Sequence, residues 1–288
     1  MKYFRNKSMF YKFYRIVYYI LLKRHIYGLT SPIRLLPDFI VIGVVRGGTT
    51  SLYHYLAQHS CIRKSAYDEI GFFDDNFHLG LNWYRSMFPT KFTKQSIEKK
   101  YGKFMTYEVT PFYIYNPTVA NRILSLLPTI KLIALLRNPV DRAYSNYQLA
   151  IRSGKEKRSF EEVIEFDMKF IEKNKGGLKD DNYFHSIVAR SPLARGFYAE
   201  QLQIWVNLFP KMQLLVISTE DLDSRPNETL ATIFEFLNLP NYQIKDLTKR
   251  NEAKYPSMKP ETRKCLLEYF RPYNEQLYHL IGKKFQWD

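Results

Sequence analysis

The chain has 288 residues, of which 45% are hydrophobic, and a formal net charge of +15. A chain of this length and apolar content can bury the core of one large or two small domains, which argues against a disordered protein. Its two cysteines, Cys61 and Cys265, lie far apart in the sequence, which excludes a disulfide framework or a cysteine-rich metal site and favours a reducing compartment.

The positive charge is concentrated in residues 1–36, here called the leader. The leader contains eight Lys or Arg residues and no Asp or Glu. The whole chain has 43 Lys or Arg and 28 Asp or Glu, so residues 37–288 hold 35 cations against 28 anions. Because the basic residues form no stripe that continues through the body, the charge does not favour nucleic-acid binding.

Within the leader, aromatic and apolar residues recur at helical spacing on one face of residues 10–21, with basic residues opposite. The apolar run from Ile16 to Leu22 is too short to cross a bilayer, and no small-residue cleavage site follows it. Two interpretations remain open. One is an interfacial helix that gives residues 1–30 a peripheral membrane contact. The other is a helix packed on the body.

Strand-like and helix-like patterns alternate over residues 37–288. The predicted strands are Asp38–Val45, Phe104–Val109, Lys131–Leu136 and Gln213–Ser218. The predicted helices are Thr49–His59, Pro117–Leu127, Val140–Arg152 with Pro139 in the first turn, Phe160–Lys173, Leu193–Phe209, Asn227–Leu237, and one helix or a pair over Pro260–Tyr278. This alternation predicts an α/β fold in which a central parallel sheet lies between two layers of helices. No repeat or flexible linker divides residues 37–288, so they are predicted to form a single domain.

The first predicted strand runs into the glycine-containing stretch VVRGGTTS, which has the features of an anion-binding loop. Glycines let the backbone approach a phosphate, and the first turn of the following helix directs N–H groups toward it. The candidate ligands are Arg46, Gly47, Gly48, Thr49, Thr50 and Ser51. Nucleoside-triphosphatase loops carry a lysine where this chain has Thr49. Taken alone, the stretch could equally be an ordinary strand-to-helix turn.

A second candidate follows the predicted strand Lys131–Leu136. In LLRNPVDRAYSNY, Arg137 stands at the carboxyl end of the strand, and Ser145 lies in the helix after it. Ligands bind at this edge of open α/β sheets, and arginine suits multidentate phosphate recognition. Two anion-type motifs at neighbouring strand ends therefore predict a phosphorylated ligand.

These motifs resemble those of sulfotransferases that use 3′-phosphoadenosine 5′-phosphosulfate (PAPS), in particular the heparan sulfate N- and 3-O-sulfotransferase branch. The similarity runs in order through nearly all of residues 38–288. Its further segments are EIGFFDDNF, WYRSMFP, YEVTPFY, ARGFYAEQL, KYPSM and the closing NEQLYHLIGKKFQWD. The resemblance implies the P-loop-type sulfotransferase fold.

The resemblance also implies roles for individual residues. Loop 46–51 would hold the phosphosulfate, and Arg137 and Ser145 would hold the 3′-phosphate. Glu69 in DEIGFF matches the general base, although Asp68 beside it could compete for that role. Arg46 stands where the branch has a lysine that stabilises charge on the leaving phosphate. Three candidates in TKRNEAKYP correspond to a further cofactor loop: Lys249, Arg250 and Lys254.

The implied reaction moves a sulfuryl group from PAPS to a hydroxyl or amine, leaves adenosine 3′,5′-bisphosphate and needs no metal. The expected acceptor is a glycan or glycolipid. Gly71 replaces a histidine found in some members, and the cysteine pair and membrane anchor of Golgi members are missing. These departures lead us to expect a cytoplasmic enzyme, with peripheral membrane contact through the leader. Glu108 in YEVTP is assigned either to acceptor contact or to a structural role.

Two other classes remain as alternatives. A P-loop kinase of a small molecule would share the fold, but it should carry a lysine at position 49 and an acidic Mg²⁺ ligand. A degenerate, non-catalytic relative that binds membranes or polyanions would explain the charge. It would not need both anion motifs.

Overall fold

A computed structural model describes residues 26–174 and 191–287, together with Val17, Tyr18, Leu22 and Val188. The predicted leader helix over residues 10–21 falls largely outside the described residues. The division into a leader and one domain over residues 37–288 stays a prediction.

The centre of the fold is a five-stranded sheet in which every strand pairs in parallel with its neighbours. Its strands are β1 (Phe39–Gly43), β2 (Ile62–Lys64), β3 (Met105–Val109), β4 (Lys131–Leu136) and β5 (Leu214–Ser218). Their order across the sheet is β2-β3-β1-β4-β5. Since the strands run in the same direction, the loops after β1, β3 and β4 meet at one edge of the sheet.

The described α-helices connect and cover these strands. They are α1 (Thr49–Leu56), α2 (Leu81–Arg85), α3 (Lys91–Tyr101), α4 (Pro117–Leu126), α5 (Pro139–Arg152), α6 (Phe160–Lys173), α7 (Tyr198–Leu208), α8 (Thr219–Ser224), α9 (Pro226–Phe236) and α10 (Pro260–Ile281). Short 3₁₀ helices cover Tyr27–Ile33, Phe77–Leu79, Tyr113–Tyr115, Ala194–Gly196 and Lys211–Gln213. Among the described helices, none combines the length and the apolar character that a membrane span requires.

Alternate residues of β1 enter different cores. Ile40 and Ile42 pack into a cluster that includes Trp205 of α7, whereas Phe39 and Val41 pack into a cluster that includes Leu52 of α1. All residues of β1 are buried, as expected for a strand with helices on both faces. The predicted α/β fold, with a parallel sheet between helical layers, is therefore confirmed.

The helix predicted to start at Leu193 begins later. Residues Ala194–Gly196 form a 3₁₀ turn, and α7 starts at Tyr198. Gly196 is packed so closely that an added Cβ would lie 2.8 Å from Cβ of Pro139 and 2.7 Å from the ring of Phe270. Close packing against α5 and α10 therefore requires a residue without a side chain in this turn.

Strand β2 and helices α2, α3 and α8 have no counterpart among the predicted elements. Helix α3 shows the reason, because Ile97 is its single buried residue. A helix that is polar around most of its surface lacks the apolar periodicity on which sequence-based prediction depends.

The described end of the leader packs against the body. The Ser31 hydroxyl donates to Oδ1 of Asn82 at 2.7 Å, and the Arg34 guanidinium donates to the carbonyl of Phe88 at 2.7 Å. The exposed edge of the 3₁₀ helix Tyr27–Ile33 continues from Ile26 through Leu29 to Pro32. Ile26 and Leu29 are 57% and 80% exposed.

Candidate active site

The loop between β1 and α1, here called the glycine loop, makes a tight turn that requires its glycines. A Cβ on Gly47 would lie 2.9 Å from the carbonyl oxygens of Val44 and Leu135, so a larger residue would push the loop away from β4. Gly48 has φ of +80° and forms the N-cap of α1. Because the first turn of an α-helix has N–H groups without intrahelical acceptors, this geometry presents donors to an anion.

Arg46 connects this loop to the second anion motif. Its backbone has φ of +67°, and its Nε and Nη2 donate to the Ser145 hydroxyl oxygen at 3.0 and 2.9 Å. Nη1 of Arg137 donates to the Arg46 carbonyl at 3.1 Å. The pairing of β1 with β4 therefore joins residues up to 99 positions apart into one polar group with two guanidinium cations.

Thr219 is a site residue that sequence reasoning missed. This buried residue starts α8, and its hydroxyl lies 2.7 Å from the Gly47 carbonyl oxygen and 2.8 Å from that of Leu136. It therefore ties the glycine loop to the end of β4. A single threonine after a strand has no motif around it, so no signal in the sequence could have identified it.

The loop over residues 249–254 reaches α1 through its backbone. The Arg250 N–H donates to the Ser51 hydroxyl at 2.9 Å. The cationic side chains of this loop are exposed, and two of them form ion pairs: Lys249 with Asp223 and Arg250 with Asp246. Exposed ion pairs contribute little, so these cations can exchange their partners for a bound anion at small cost.

Glu69 lies on the opposite side of the glycine loop from Arg137. It follows β2, is half-buried, and its N–H donates to the Val109 carbonyl at the end of β3 at 2.8 Å. Its φ of +54° is uncommon for a residue with a side chain, and such conformations concentrate at functional sites. Asp68 beside it is also half-buried. The order β2-β3-β1-β4 places an acid, the glycine loop and Arg137 along one edge of the sheet.

A fully buried carboxyl group, that of Glu108 on β3, lies beneath the loop that carries Glu69. It accepts hydrogen bonds from the hydroxyls of Tyr84 at 2.6 Å, Thr110 at 3.3 Å and Tyr113 at 3.3 Å. Burial raises the pKa of Glu108 to about 8, even though these donors favour the charged form. Burial also raises the pKa of nearby Asp74, to about 6.

The network around Glu108 orders the loop above it. The Thr110 hydroxyl accepts the Gly71 N–H at 3.2 Å, and the Tyr113 hydroxyl accepts the Phe73 N–H at 3.1 Å. Of the two roles that the sequence left open for Glu108, its complete burial supports the structural one.

Glu108 should make folding stability depend on pH. Between the ordinary carboxyl pKa of 4.5 and the folded value of about 8, the folded chain retains a proton that the unfolded chain releases. The free energy of unfolding therefore falls as pH rises through this window, by about 1.4 kcal/mol per pH unit from this group.

In Glu108→Gln this contribution to the pH dependence of stability is absent. We expect the stability difference between the two proteins to shift by about 2–3 kcal/mol in favour of the variant between pH 5.5 and 7.5. Denaturant unfolding at several pH values measures it, and parallel curves would contradict it.

Comparison with known proteins places these residues in context. A family model of the sulfotransferase domain matches residues 36–273. The chain is 32% identical to the membrane-associated sulfotransferase kil1 of Dictyostelium discoideum, over 88% of this chain and 66% of that protein. It is 30% identical to heparan sulfate glucosamine 3-O-sulfotransferase 3B1 of Mus musculus, over 88% of this chain and 65% of that protein. The chain thus spans about two thirds of the length of these relatives.

A solved structure of another protein has a similar fold. The sulfotransferase from Alicyclobacillus acidocaldarius superimposes with a TM-score of 0.64 at 24% identity, over 87% of this chain and 98% of that one. Together with the family match over most of the chain, the glycine loop after β1 and the Arg137–Ser145 motif after β4 identify this protein as a member of the sulfotransferase domain family.

Proposed function

We propose that the chain is a sulfotransferase that moves the sulfuryl group of PAPS to a hydroxyl or amine of a glycan or glycolipid. The observation that carries the proposal is the single polar group formed by Arg46, Ser145 and Arg137 beside the glycine loop. Two anion sites at adjacent strand ends suit a nucleotide that carries separate 5′ and 3′ anionic groups. PAPS would supply the sulfuryl group, with adenosine 3′,5′-bisphosphate as the leaving group.

The residues present fit such a nucleotide. The N-terminus of α1, where Gly48 is the N-cap, suits the 5′-phosphosulfate. Arg137 and the buried Ser145 suit the 3′-phosphate. Arg46 lies between the two groups, where its charge can act on either, and Lys249, Arg250 and Lys254 flank the site as further candidate ligands.

In the proposed reaction Glu69 removes the proton of the acceptor hydroxyl or amine. The rest of the site positions the reactants and stabilises negative charge on the leaving phosphate, as in phosphoryl transfer. Because the network of Glu108, Thr110 and Tyr113 fixes the loop after Glu69, the backbone that carries Glu69 is ordered before the acceptor binds.

A glycan acceptor is supported by the relatives, since heparan sulfate stands in the name of the 3-O-sulfotransferase 3B1 to which this chain is similar. The identity of the glycan, and the choice between oxygen and nitrogen, are tested by offering a panel of glycans, glycolipids and phenols with radiolabelled PAPS. Transfer to phenols alone would contradict a carbohydrate acceptor.

Nucleotide preference separates the proposal from its alternatives. We expect adenosine 3′,5′-bisphosphate to bind more tightly than ATP in calorimetry. A preference for ATP would favour a kinase. Binding of the bisphosphate without transfer to any acceptor would favour a non-catalytic relative.

We also propose a peripheral contact with anionic membranes. The leader carries eight cations and no anions, and the apolar edge formed by Ile26, Leu29 and Pro32 at its described end is exposed. Deleting residues 1–25 should reduce sedimentation with phosphatidylserine vesicles without changing thermal stability. Phe166→Ser, which removes another exposed apolar side chain, serves as the control. Loss of solubility on deletion would instead support the packed-helix interpretation. The cytoplasmic location stays a prediction.

A further inference from the structure

The turn between β4 and α5 is held by hydrogen bonds to residues that are distant in the sequence. The Asn138 N–H donates to Oε1 of Glu220 at 2.9 Å, and its side-chain amide donates to the Trp287 carbonyl at 3.1 Å. The Asn138 side-chain oxygen caps α5 by accepting the Val140 N–H at 2.9 Å. Asn138 is 3% exposed, so these bonds form in a water-poor environment where they hold the turn firmly.

Trp287 and Glu220 complete this arrangement. The Trp287 indole N–H donates to Oε2 of Glu220 at 2.9 Å, so one carboxylate bonds both Asn138 and Trp287. The Trp287 ring meets Tyr198 edge-on at 5.8 Å, and the Tyr198 hydroxyl donates to the Arg137 carbonyl at 2.8 Å. The contacts form a closed ring around the peptide that joins Arg137 to Asn138.

This ring fixes the direction in which the Arg137 side chain leaves the backbone. The carbonyl of Arg137 and the next N–H are the two polar groups of that peptide, and they are bonded to the buried Tyr198 and the half-buried Glu220. Multidentate phosphate recognition depends on where the guanidinium lies, and supporting contacts of this kind keep a binding side chain in its productive geometry.

We propose that Trp287 and Glu220 are positioning residues of the 3′-phosphate pocket, through which the segment after α10 controls how well Arg137 recognises a 3′-phosphate. The inference rests on the proposed function, because it assumes that Arg137 contacts that phosphate.

The test compares two nucleotides that differ by the 3′-phosphate alone. Trp287→Phe keeps an aromatic ring but removes the indole N–H. We expect it to weaken adenosine 3′,5′-bisphosphate about tenfold while AMP affinity stays within about twofold, as measured by calorimetry. Trp205→Phe is the matched control, because Trp205 is also fully buried and loses an indole hydrogen bond, at 3.2 Å to the Ile114 carbonyl. It should leave the ratio of the two affinities unchanged.

A second variant and a double substitution guard against a loss that is merely structural. The Glu220 carboxylate accepts hydrogen bonds from the Asn138 N–H and the Trp287 indole N–H. In Glu220→Gln an amide N–H would face one of these two donors, so this variant should also lower the ratio of bisphosphate to AMP affinity. In an Arg137→Ala background, Trp287→Phe should have no further effect on that ratio, because the residue it positions is gone.

The outcomes separate the two hypotheses. If the unsubstituted protein binds the bisphosphate no better than AMP, the proposed function is wrong and this inference falls with it. If it prefers the bisphosphate, and folded Trp287→Phe and Glu220→Gln variants keep the same ratio, the inference alone is overturned.

Discussion

Replacing Glu69 by Gln is expected to lower kcat for sulfate transfer by about 10²–10⁴-fold and to leave the affinity for adenosine 3′,5′-bisphosphate nearly unchanged. Glutamine has the same shape but cannot accept the acceptor's proton. Glu69 is held by its N–H bond to Val109 and lies across the glycine loop from Arg137, so the exchange should not disturb the nucleotide pocket. Single-turnover transfer and calorimetry measure the two effects separately.

Asp68→Asn is the matched control for this experiment. It removes a neighbouring half-buried carboxylate by the same chemical change. We expect Asp68→Asn to retain most of the activity. If Asp68→Asn is inactive while Glu69→Gln remains active, the general base is Asp68, and the role proposed for Glu69 is wrong.

Arg137→Ala is expected to weaken adenosine 3′,5′-bisphosphate by about 2–5 kcal/mol, because a partly desolvated charge pair with the 3′-phosphate is lost. Arg137 also donates to the Arg46 carbonyl at 3.1 Å, so part of the loss should come from a less well ordered glycine loop. Arg137→Lys keeps the positive charge but lacks the planar guanidinium group that can donate two hydrogen bonds to one phosphate. It should therefore recover only part of the affinity for the bisphosphate. Calorimetric titration measures all three proteins.

Arg158→Ala controls for the removal of one positive charge. Arg158 is exposed and pairs with Glu156 in the loop between α5 and α6, where no role is proposed above. We expect its nucleotide affinity to match that of the unsubstituted protein. Unchanged affinity in Arg137→Ala would mean that the 3′-phosphate is bound elsewhere, and Arg250→Ala would then be the next variant to measure.

The strands that carry the site could be predicted closely. KLIALL is a continuous apolar run, and β4 covers the predicted Lys131–Leu136. The strand predicted over Asp38–Val45 is shorter, because the chain leaves the sheet after Gly43 to form the glycine loop. Both strands are buried on two faces, and a strand in that environment has apolar residues at consecutive positions, which the sequence shows directly.

The supporting contacts could not be predicted in this way. Thr219 and Glu220 lie outside the segments that carry the resemblance, and Trp287 lies outside the two anion motifs, yet these residues hold the glycine loop and the turn after β4. The raised pKa of Glu108 likewise follows from complete burial under the Glu69 loop. A single glutamate near the end of a strand shows nothing of its burial in the sequence, because burial depends on what packs over it.

By itself the sequence determined the α/β class, the two anion motifs and their positions at the ends of strands, because apolar periodicity and turn residues act over short stretches of chain. Only the tertiary structure decided that β1 lies next to β4, that Arg46 donates to the Ser145 hydroxyl, and that Asn138 donates to the Trp287 carbonyl. These contacts join residues separated by about a hundred positions or more, and they are selected by how helices and strands pack together, which local sequence patterns do not encode.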